Sequence, residues 1–213
     1  MQRIIIFANG ELPDLKKARP LLHPADYVIC ADGGTRHALA LSRKPDLIIG
    51  DMDSVQKSHW QKLEKSGISI EMFPRDKNET DLELALSRAV ELDPIEIIIV
   101  AALGGRLDQT LANVALLAST HHPSPIIRLD DGLEEIFLCR DQAQVHGRCG
   151  DIVSLIPWQG EVTGIQTMGL RWILDNETLY PDKTRGISNE MTGDTASISI
   201  RSGSLLIVHR RQS

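Results

Sequence analysis

The chain has 213 residues, of which 42% are hydrophobic and 24% are charged, and its formal net charge at pH 7 is −6. This composition is typical of a globular protein with one large domain or two small ones. The negative charge disfavours a nucleic-acid partner. No apolar run approaches the roughly 18 residues of a membrane-spanning helix, so we also expect no membrane partner.

The cysteines and the first residues indicate the compartment. Cys30, Cys139 and Cys149 are odd in number and lack C-x-x-C spacing, which disfavours both a disulfide framework and a zinc site. Residues 1–7 carry one basic residue and a short apolar run, which favours a first strand over a signal peptide. We therefore expect a cytoplasmic protein with reduced thiols.

Strand and helix patterns alternate in the first part of the chain. Apolar runs predict strands at 3–8, 27–31, 47–49, 68–72, 95–102 and 126–129. Helical periodicity predicts helices at 13–22, 35–42, 55–66, 79–91 and 107–119. Such alternation is typical of βαβ units, so it predicts an α/β N-terminal domain with a mostly parallel, Rossmann-like sheet.

Helical periodicity ends near residue 125. Short β-rich runs separated by Gly, Asp and Asn turns follow at 135–139, 143–146, 152–157, 161–166, 195–200 and 205–209. This pattern is typical of an all-β sandwich or barrel, and we favour a smaller sandwich. The predicted domains are residues 1–124 and 125–213.

Polar and glycine-rich turns follow three of the predicted parallel strands. They are Asp32-Gly33-Gly34, Gly50-Asp51-Met52-Asp53 and Gly104-Gly105. In open α/β sheets, ligands bind outside the carboxyl ends of the strands, so these turns are expected at one edge. Each glycine pair would let a phosphate approach the backbone, although an ordinary strand-to-helix turn explains Asp32-Gly33-Gly34 equally well.

Asp51 and Asp53 form the first candidate metal site. In extended backbone their side chains would project to the same side, because side chains alternate along a strand. Two adjacent carboxylates need a cation or a proton between them, and Mg²⁺ with phosphate oxygens is the usual partner. The alternative is a solvated Asp-Ser turn that caps the next helix.

A polar run from Asp76 to Asp81 opens the helix predicted at 79–91. Thr80 and Asp81 would lie in its first turn, where the helix dipole alone would explain an acidic residue. Alternatively, Asp81 is another metal ligand and Lys77 binds phosphate, together with Arg75.

Arg106 and Asp108 follow the most apolar strand. Arg106 is placed to bind phosphate through two hydrogen bonds, and Asp108 would lie in the first turn of the next helix at the same edge. A glycine turn with an adjacent arginine and aspartate is difficult to explain by packing alone.

Three residues of the β-rich part could contact a flat heterocycle. Trp172 could stack on such a ring, although burial in the core is the interpretation that its type favours. Ser188 and Asn189 could donate to and accept from a heterocycle edge, or could simply form a turn.

Six motifs, taken together and in order, resemble the thiamine pyrophosphokinase (thiamine diphosphokinase) family. They are ADGG at 31–34, GDMDS at 50–54, DKNETDLELAL at 76–86, GGRLDQTLAN at 104–113, GLRW at 169–172 and ISNE at 187–190. The resemblance covers nearly the whole chain. This chain departs from the family pattern at Gln109, where His is usual, and at Asn78, where Asp is frequent.

The resemblance implies a homodimeric, Mg²⁺-dependent enzyme that transfers diphosphate from ATP to thiamine and releases AMP. Asp51, Asp53 and Asp81 would hold the metal against the triphosphate. Asp108 would either complete this acidic cluster or act as the base towards the thiamine hydroxyl. The resemblance also implies roles for the other candidate site residues.

Those roles fall into two groups. Phosphate charge would be offset by Lys77 and Arg106, and the nucleotide would approach the backbone at Asp32, Gly33, Gly34, Thr80, Gly104 and Gly105. Thiamine would be contacted by Trp172, Ser188 and Asn189. Each site would lie between the α/β domain of one subunit and the β domain of its partner.

Two alternatives use the same acidic edge. One is another Mg²⁺-dependent phosphohydrolase or nucleotidyltransferase with a different acceptor. The other is a non-catalytic nucleotide sensor, which the Gln109 departure favours and which three separate acidic positions disfavour.

Overall fold

The computed structural model describes residues 3–51, 67–119 and 125–212, and the chain divides into two compact units, residues 1–132 and 133–213. The first unit combines strands with helices, whereas the described part of the second is built of strands. The predicted succession of an α/β part and an all-β part is confirmed. None of the helices in the described ranges is long and apolar enough to span a lipid bilayer.

Six strands form a parallel sheet within the described residues of the first unit. Their spatial order is β6-β5-β1-β2-β3-β4, and every pairing between these neighbours is parallel. They are β1 (Arg3–Phe7), β2 (Tyr27–Ala31), β3 (Leu47–Gly50), β4 (Ser69–Met72), β5 (Glu96–Val100) and β6 (Ile126–Asp130). The chain winds from β1 through β4 in one direction and continues with β5 on the other side of β1. The strand order therefore reverses between β1 and β5.

The central strands are buried on both faces. Successive residues of β1 from Ile4 to Phe7 are 0% exposed, as are Ile97, Ile99 and Val100 of β5. Burial of both faces explains why these strands are continuous apolar runs without alternation.

The first unit extends past the predicted boundary at residue 124. Strand β6 pairs with β5 from Ile126 opposite Glu96 to Leu129 opposite Ile99. The following turn includes Gly132, whose N–H donates to Asp130 Oδ1 at 2.8 Å. Because β6 pairs in the parallel sheet, the change of architecture follows this strand.

The helices agree with the periodic segments but are shorter. Their bounds are Leu15–Ala18, Thr35–Ala40, Asp81–Glu91 and Leu107–Ala115, with 3₁₀ turns at Arg19–Leu21, Asp32–Gly34 and Leu116–Ala118. The largest difference is the helix predicted at 13–22. It begins after Asp14, whose carboxylate accepts the N–H groups of Lys16 and Lys17, and it changes to a 3₁₀ turn that contains Pro20. The helix predicted at 55–66 lies outside the described residues.

The second unit is antiparallel throughout the described pairings of residues 133–212. Four strands lie in the order β12-β9-β14-β7 and four in the order β11-β10-β13-β8. They are β7 (Glu134–Cys139), β8 (Gln142–His146), β9 (Ile152–Pro157), β10 (Val162–Met168), β11 (Glu177–Leu179), β12 (Asn189–Glu190), β13 (Thr195–Ser199) and β14 (Leu205–Arg210). The strand pairings of the chain as a whole are thus mixed, and a mostly parallel sheet describes the first unit only.

One hydrophobic cluster draws on both sets of strands in the second unit. Val153, Leu155 and Ile207 come from one set, and Ile165 and Ile198 from the other, all nearly fully buried. Two antiparallel sheets that share one core are typical of a β-sandwich.

A buried ion pair fixes the start of β1 to the turn before β2. Arg3 Nε and Nη2 donate to the two carboxylate oxygens of Asp26 at 2.9 and 2.8 Å, and Asp26 Oδ2 also accepts the His23 N–H at 2.6 Å. Burial alone would raise the pKa of Asp26, but the hydrogen bonds from Arg3 and His23 outweigh it and lower the pKa below its ordinary 3.8.

This ion pair predicts an acid-dependent loss of stability in the first unit. Because the folded unit lowers the pKa of Asp26, its contribution is complete above pH 3.8 and is lost as the pH falls further. Asp26→Asn should cost about 2 kcal/mol at pH 7. The difference from the wild type should shrink in acid. Urea unfolding followed by the helical circular-dichroism signal, which comes from this unit, measures both, and a difference independent of pH would contradict the prediction.

Candidate functional site

A cleft of about 210 Å³ lies at the carboxyl ends of the parallel strands. The segments after β1, β2 and β5 form its walls, and the start of the helix Asp81–Glu91 and the first two turns of the helix Leu107–Ala115 close it. The residues that line the cleft include Ala8, Asn9, Gly10, Asp32, Thr80, Asp81, Gly104, Gln109 and Asn113. The cleft is therefore at the point where the strand order reverses, which is where open α/β sheets bind ligands.

The Asp32–Gly34 turn is shaped by contacts with β1. Asp32 has φ of +42°, a left-handed value that aspartate tolerates better than most residues. Gly34 is buried, and a Cβ there would overlap the Phe7 carbonyl oxygen. Asp32 lines the cleft, whereas Gly34 lets the turn pack closely against β1. Packing thus accounts for Gly34 without a phosphate.

The helix Asp81–Glu91 brings two predicted residues into the cleft. Thr80 caps the helix, because its Oγ1 accepts the Glu83 N–H at 3.1 Å, and Asp81 follows in the first turn. Lys77 Nζ lies 2.5 Å from Asp81 Oδ1, and the two side chains are 13% and 27% exposed. The structure therefore pairs Lys77 with Asp81, while their predicted roles as phosphate partner and metal ligand stay predictions.

Arg106 and Asp108 are not among the residues that line the described cleft. The Arg106 Nη2 lies 2.5 Å from Asp108 Oδ2, and the two side chains are 70% and 66% exposed. The hydrogen bond between them raises the pKa of Arg106 and lowers that of Asp108. In this structure the two charges satisfy each other at the start of the helix Leu107–Ala115.

The predicted metal ligands are described only in part. Asp51 follows β3 and is half-buried, and a Cβ added to the neighbouring Gly50 would lie 3.1 Å from Asp32 Cβ. Asp53 lies outside the described residues. Within the ranges 3–51, 67–119 and 125–212, no three His, Cys, Asp or Glu side chains are grouped to hold a metal ion. The set of Asp51, Asp53 and Asp81 stays a prediction.

Three amide side chains of the cleft were not assigned a role from the sequence. Asn9 follows β1, Gln109 lies on the helix Leu107–Ala115, and Asn113 Nδ2 donates to the Ala102 carbonyl at 2.8 Å. The rule that identified Asp32 and Gly104 also applies to Asn9, because Asn9-Gly10 ends a parallel strand. Asn113 belongs to a motif but carries no charge, so its spacing alone gave no signal.

Trp172 in the second unit is exposed, so the interpretation of a core residue was wrong. Trp172 is 52% exposed, and the Arg171 guanidinium lies 4.8 Å from the centroid of its ring. Arg171 is itself held by Glu190, with Nη1 to Oε2 at 2.8 Å. The arrangement presents an aromatic face at the surface.

Asn189 orders Trp172 rather than facing solvent. It is 5% exposed, its Oδ1 accepts the Trp172 N–H at 3.0 Å, and its Nδ2 donates to the Trp172 carbonyl at 2.6 Å. Ser188 is exposed with φ of +59°, and its N–H donates to Ser154 Oγ at 3.0 Å. The three predicted residues are therefore adjacent, but the amide of Asn189 is used within the chain.

Sequence models of a known family match both units. The thiamin pyrophosphokinase catalytic domain matches residues 18–129, and the thiamin pyrophosphokinase vitamin B1 binding domain matches residues 139–205. The chain belongs to the thiamin pyrophosphokinase family. The predicted resemblance is confirmed.

Individual members of the thiamin pyrophosphokinase family are similar over most of their length. The thiamine pyrophosphokinase of Bacillus subtilis is 28% identical over 188 residues, which cover 84% of this chain and 85% of that protein. Thiamine pyrophosphokinase 1 of Oryza sativa subsp. japonica is 27% identical over 226 residues, with 92% and 82% covered.

Solved structures of the family share the fold. The Bacillus subtilis thiamine pyrophosphokinase superposes with a TM-score of 0.88 at 25% identity and covers 100% of both chains. The thiamin pyrophosphokinase of Geobacillus thermodenitrificans gives 0.85 at 26% identity, covering 100% of this chain and 99% of that one.

Proposed function

We propose that the chain transfers the diphosphate group of ATP to the hydroxyl group of thiamine and releases AMP. The observation that carries this proposal is the match of the catalytic and the vitamin B1 binding models to the first and second units. The full-length likeness to thiamine pyrophosphokinases of known structure supports it.

The nucleotide is proposed to bind in the cleft of the first unit, which we describe as Rossmann-like. Support comes from the reversal of strand order between β1 and β5 and from the position of the cleft at their carboxyl ends. Asp32, Thr80 and Gly104 would lie beside the triphosphate. The proposed contacts of Gly33, Gly34 and Gly105 rest on the resemblance alone.

Positioning and charge neutralisation do most of the catalysis in phosphoryl transfer. Lys77 is held 2.5 Å from Asp81, so its ammonium group is already oriented when the nucleotide arrives. Arg106 would exchange its bond to Asp108 for a phosphate oxygen, which costs little because the pair is largely exposed. Asp108 would then be free to complete the acidic cluster or to accept the proton of the thiamine hydroxyl.

The proposed cation site consists of Asp51, Asp53 and Asp81. Carboxylate oxygens are ligands that Mg²⁺ prefers, so the donor chemistry fits, although the described residues hold no complete group of three. Mg²⁺ bound there would neutralise phosphate charge and orient the triphosphate.

The second unit is proposed to select the acceptor. The exposed indole of Trp172 offers a stacking face for an aromatic ring, and Asn189 fixes the backbone that carries it. Ser188 would donate to the pyrimidine edge. A homodimer that shares its sites between subunits follows from the resemblance, and the free thiols of Cys30, Cys139 and Cys149 suit action in the cytoplasm.

A product assay tests the proposal. Purified protein with ATP, Mg²⁺ and thiamine should form thiamine diphosphate and AMP in equal amounts, and should form no AMP without thiamine. Release of phosphate or AMP without thiamine would instead support a hydrolase. Calorimetric binding of ATP with no product would support a nucleotide sensor.

A further inference from the structure

The Asn9–Gly10 segment forms the wall of the cleft that follows β1, and the N–H groups of Ala8 and Gly10 are bonded from the β5 side. The Ala8 N–H donates to the Val100 carbonyl at 2.9 Å, and the Gly10 N–H donates to the Ala101 carbonyl at 2.8 Å. These bonds continue the parallel pairing of β1 with β5 beyond the ends of the strands.

The carbonyl groups of the same segment are held from the other side by the helix Thr35–Ala40. Arg36 Nη2 donates to the Gly10 carbonyl at 3.1 Å and to the Asn9 carbonyl at 3.2 Å. His37 Nε2 lies 3.0 Å from the Gly10 carbonyl. The segment is thus bonded on both sides, and a charged donor makes two of these bonds.

Two groups compete for His37 Nε2, because the Arg36 Nε–H can only donate to it, at 3.2 Å, and the Gly10 carbonyl can only accept from it, at 3.0 Å. Nε2 serves Gly10 when it carries a proton and Arg36 when it does not. Burial and the nearby charge of Arg36, whose Nε lies 3.2 Å away, lower the pKa of His37 despite the bond to Gly10. The neutral ring with its proton on Nε2 donates to Gly10 without placing a second positive charge beside Arg36.

Holding this segment also holds the Asn9 side chain. A Cβ atom added to Gly33 would lie 2.6 Å from Asn9 Cγ and 2.7 Å from Asn9 Nδ2, so the Asn9 amide lies directly against the Asp32–Gly34 turn. Asn9 and Asp32 both line the cleft. Movement of the Asn9 or Gly10 carbonyl would therefore displace the amide from this turn.

We propose that Arg36 and His37 are positioning residues, which bind the Asn9 and Gly10 carbonyls and so hold the Asn9 amide where it contacts the nucleotide. This inference rests on the proposed function. Arg36 is exposed, and its donors serve a loop of the cleft rather than the core. Its loss should therefore affect nucleotide binding more than folding.

Arg43 provides a matched control. Its Nη1 and Nη2 also donate to two backbone carbonyls, those of Pro24 at 3.4 Å and Asp26 at 3.1 Å. Those two carbonyls come just before β2, at the amino ends of the parallel strands, whereas the cleft lies at the carboxyl ends. Arg36→Met and Arg43→Met remove the same kind of bond from two different places.

The expected result is a selective loss of nucleotide affinity. Arg36→Met should raise the ATP KM, and the calorimetric Kd for ATP without thiamine, about tenfold. The kcat and the thiamine KM should stay unchanged. His37→Leu should act in the same direction, and His37→Gln should retain affinity because its amide can donate to Gly10. Arg43→Met should leave ATP binding at the wild-type value.

Unchanged ATP affinity in both Arg36→Met and His37→Leu would overturn the inference. So would an equal rise in Arg43→Met, because that would indicate a general effect of lost stability. If Arg36→Met does not fold, the comparison of His37→Leu with His37→Gln decides the matter. A wild type that binds ATP but forms no thiamine diphosphate would refute the proposed function, while calorimetry would still test the two positioning residues.

Discussion

Asp81→Asn should reduce the rate of thiamine diphosphate formation by about 10²- to 10³-fold, a magnitude typical of losing one group that stabilises charge in a transition state. Asp81 is a predicted metal ligand that lines the cleft, and Lys77 pairs with its carboxylate. Asparagine keeps the size of the side chain and removes its charge. The loss should therefore appear in the turnover number at saturating ATP and thiamine.

The fold should survive this substitution. Thr80 still caps the helix, and the charge of Asp81 contributes to the helix dipole only about 0.3–1 kcal/mol. Glu83→Gln is the matched control, because Glu83 is another first-turn carboxylate of the same helix but does not line the cleft. Turnover near the wild-type rate in Asp81→Asn, or an equal loss in Glu83→Gln, would contradict a role of Asp81 in the reaction.

His209→Leu should destabilise the second unit by about 3–5 kcal/mol, the cost of removing one partner from a buried charged group. His209 is 0% exposed, with Nδ1 3.4 Å from Glu135 Oε2 and Nε2 3.1 Å from Asp151 Oδ2. Each ring nitrogen faces a carboxylate oxygen, so His209 connects two acidic side chains of the sheet. The leucine variant would leave Glu135 and Asp151 without this shared partner.

The remaining contacts do not replace the imidazole. Asp151 accepts the N–H groups of Arg148 and Gln212 at 2.9 and 2.8 Å. Burial alone would raise the pKa of Asp151, but these hydrogen bonds and the bond to His209 outweigh it and lower the pKa below its ordinary value. Arg211 Nη2 lies 3.6 Å from Glu135 Oε2. Each carboxylate therefore has several neighbouring donors, and His209 connects the two carboxylates.

Hydrogen exchange of the amides in β7, β9 and β14 measures this loss within the second unit. His146→Leu is the control, since His146 is an exposed histidine of β8 and its replacement should change stability by less than about 0.5 kcal/mol. Adding Glu135→Gln to His209→Leu should recover part of the loss, because it removes a buried charge that has lost one of its donors. Equal exchange in the two histidine variants would show that the ion cluster does not stabilise the sheet.

The central strands of the first unit were predictable because burial on both faces leaves continuous apolar runs. The bounds of β2, Tyr27–Ala31, agree with the predicted range, and β6 is one residue longer. Strands β11 and β12 were not predicted, since three and two residues are too short to show alternation. The helix predicted at 13–22 is longer than the observed helix Leu15–Ala18, because Pro20 fits a 3₁₀ turn as readily as a helical face.

The candidate site was predictable only as far as strand ends determine it. Asp32, Asp81 and Gly104 line one cleft because parallel strands place their carboxyl ends together. Spacing does not give the direction of a side chain, so it could not show that Arg106 and Asp108 bond each other outside this cleft. Spacing also could not show that the Asn189 amide is hydrogen-bonded to Trp172, because that bond joins residues 17 positions apart.

The position of β14 has a consequence for the order in which the second unit can form during synthesis. This strand follows the other strands of the unit in the chain, yet it lies between β7 and β9 and pairs with both. Until Leu205–Arg210 has left the ribosome, β7 and β9 cannot acquire this shared neighbour. The residues that would bind thiamine are therefore translated before the strand that completes the sheet beneath them, and a nascent chain that stops short of β14 exposes two unpaired strand edges.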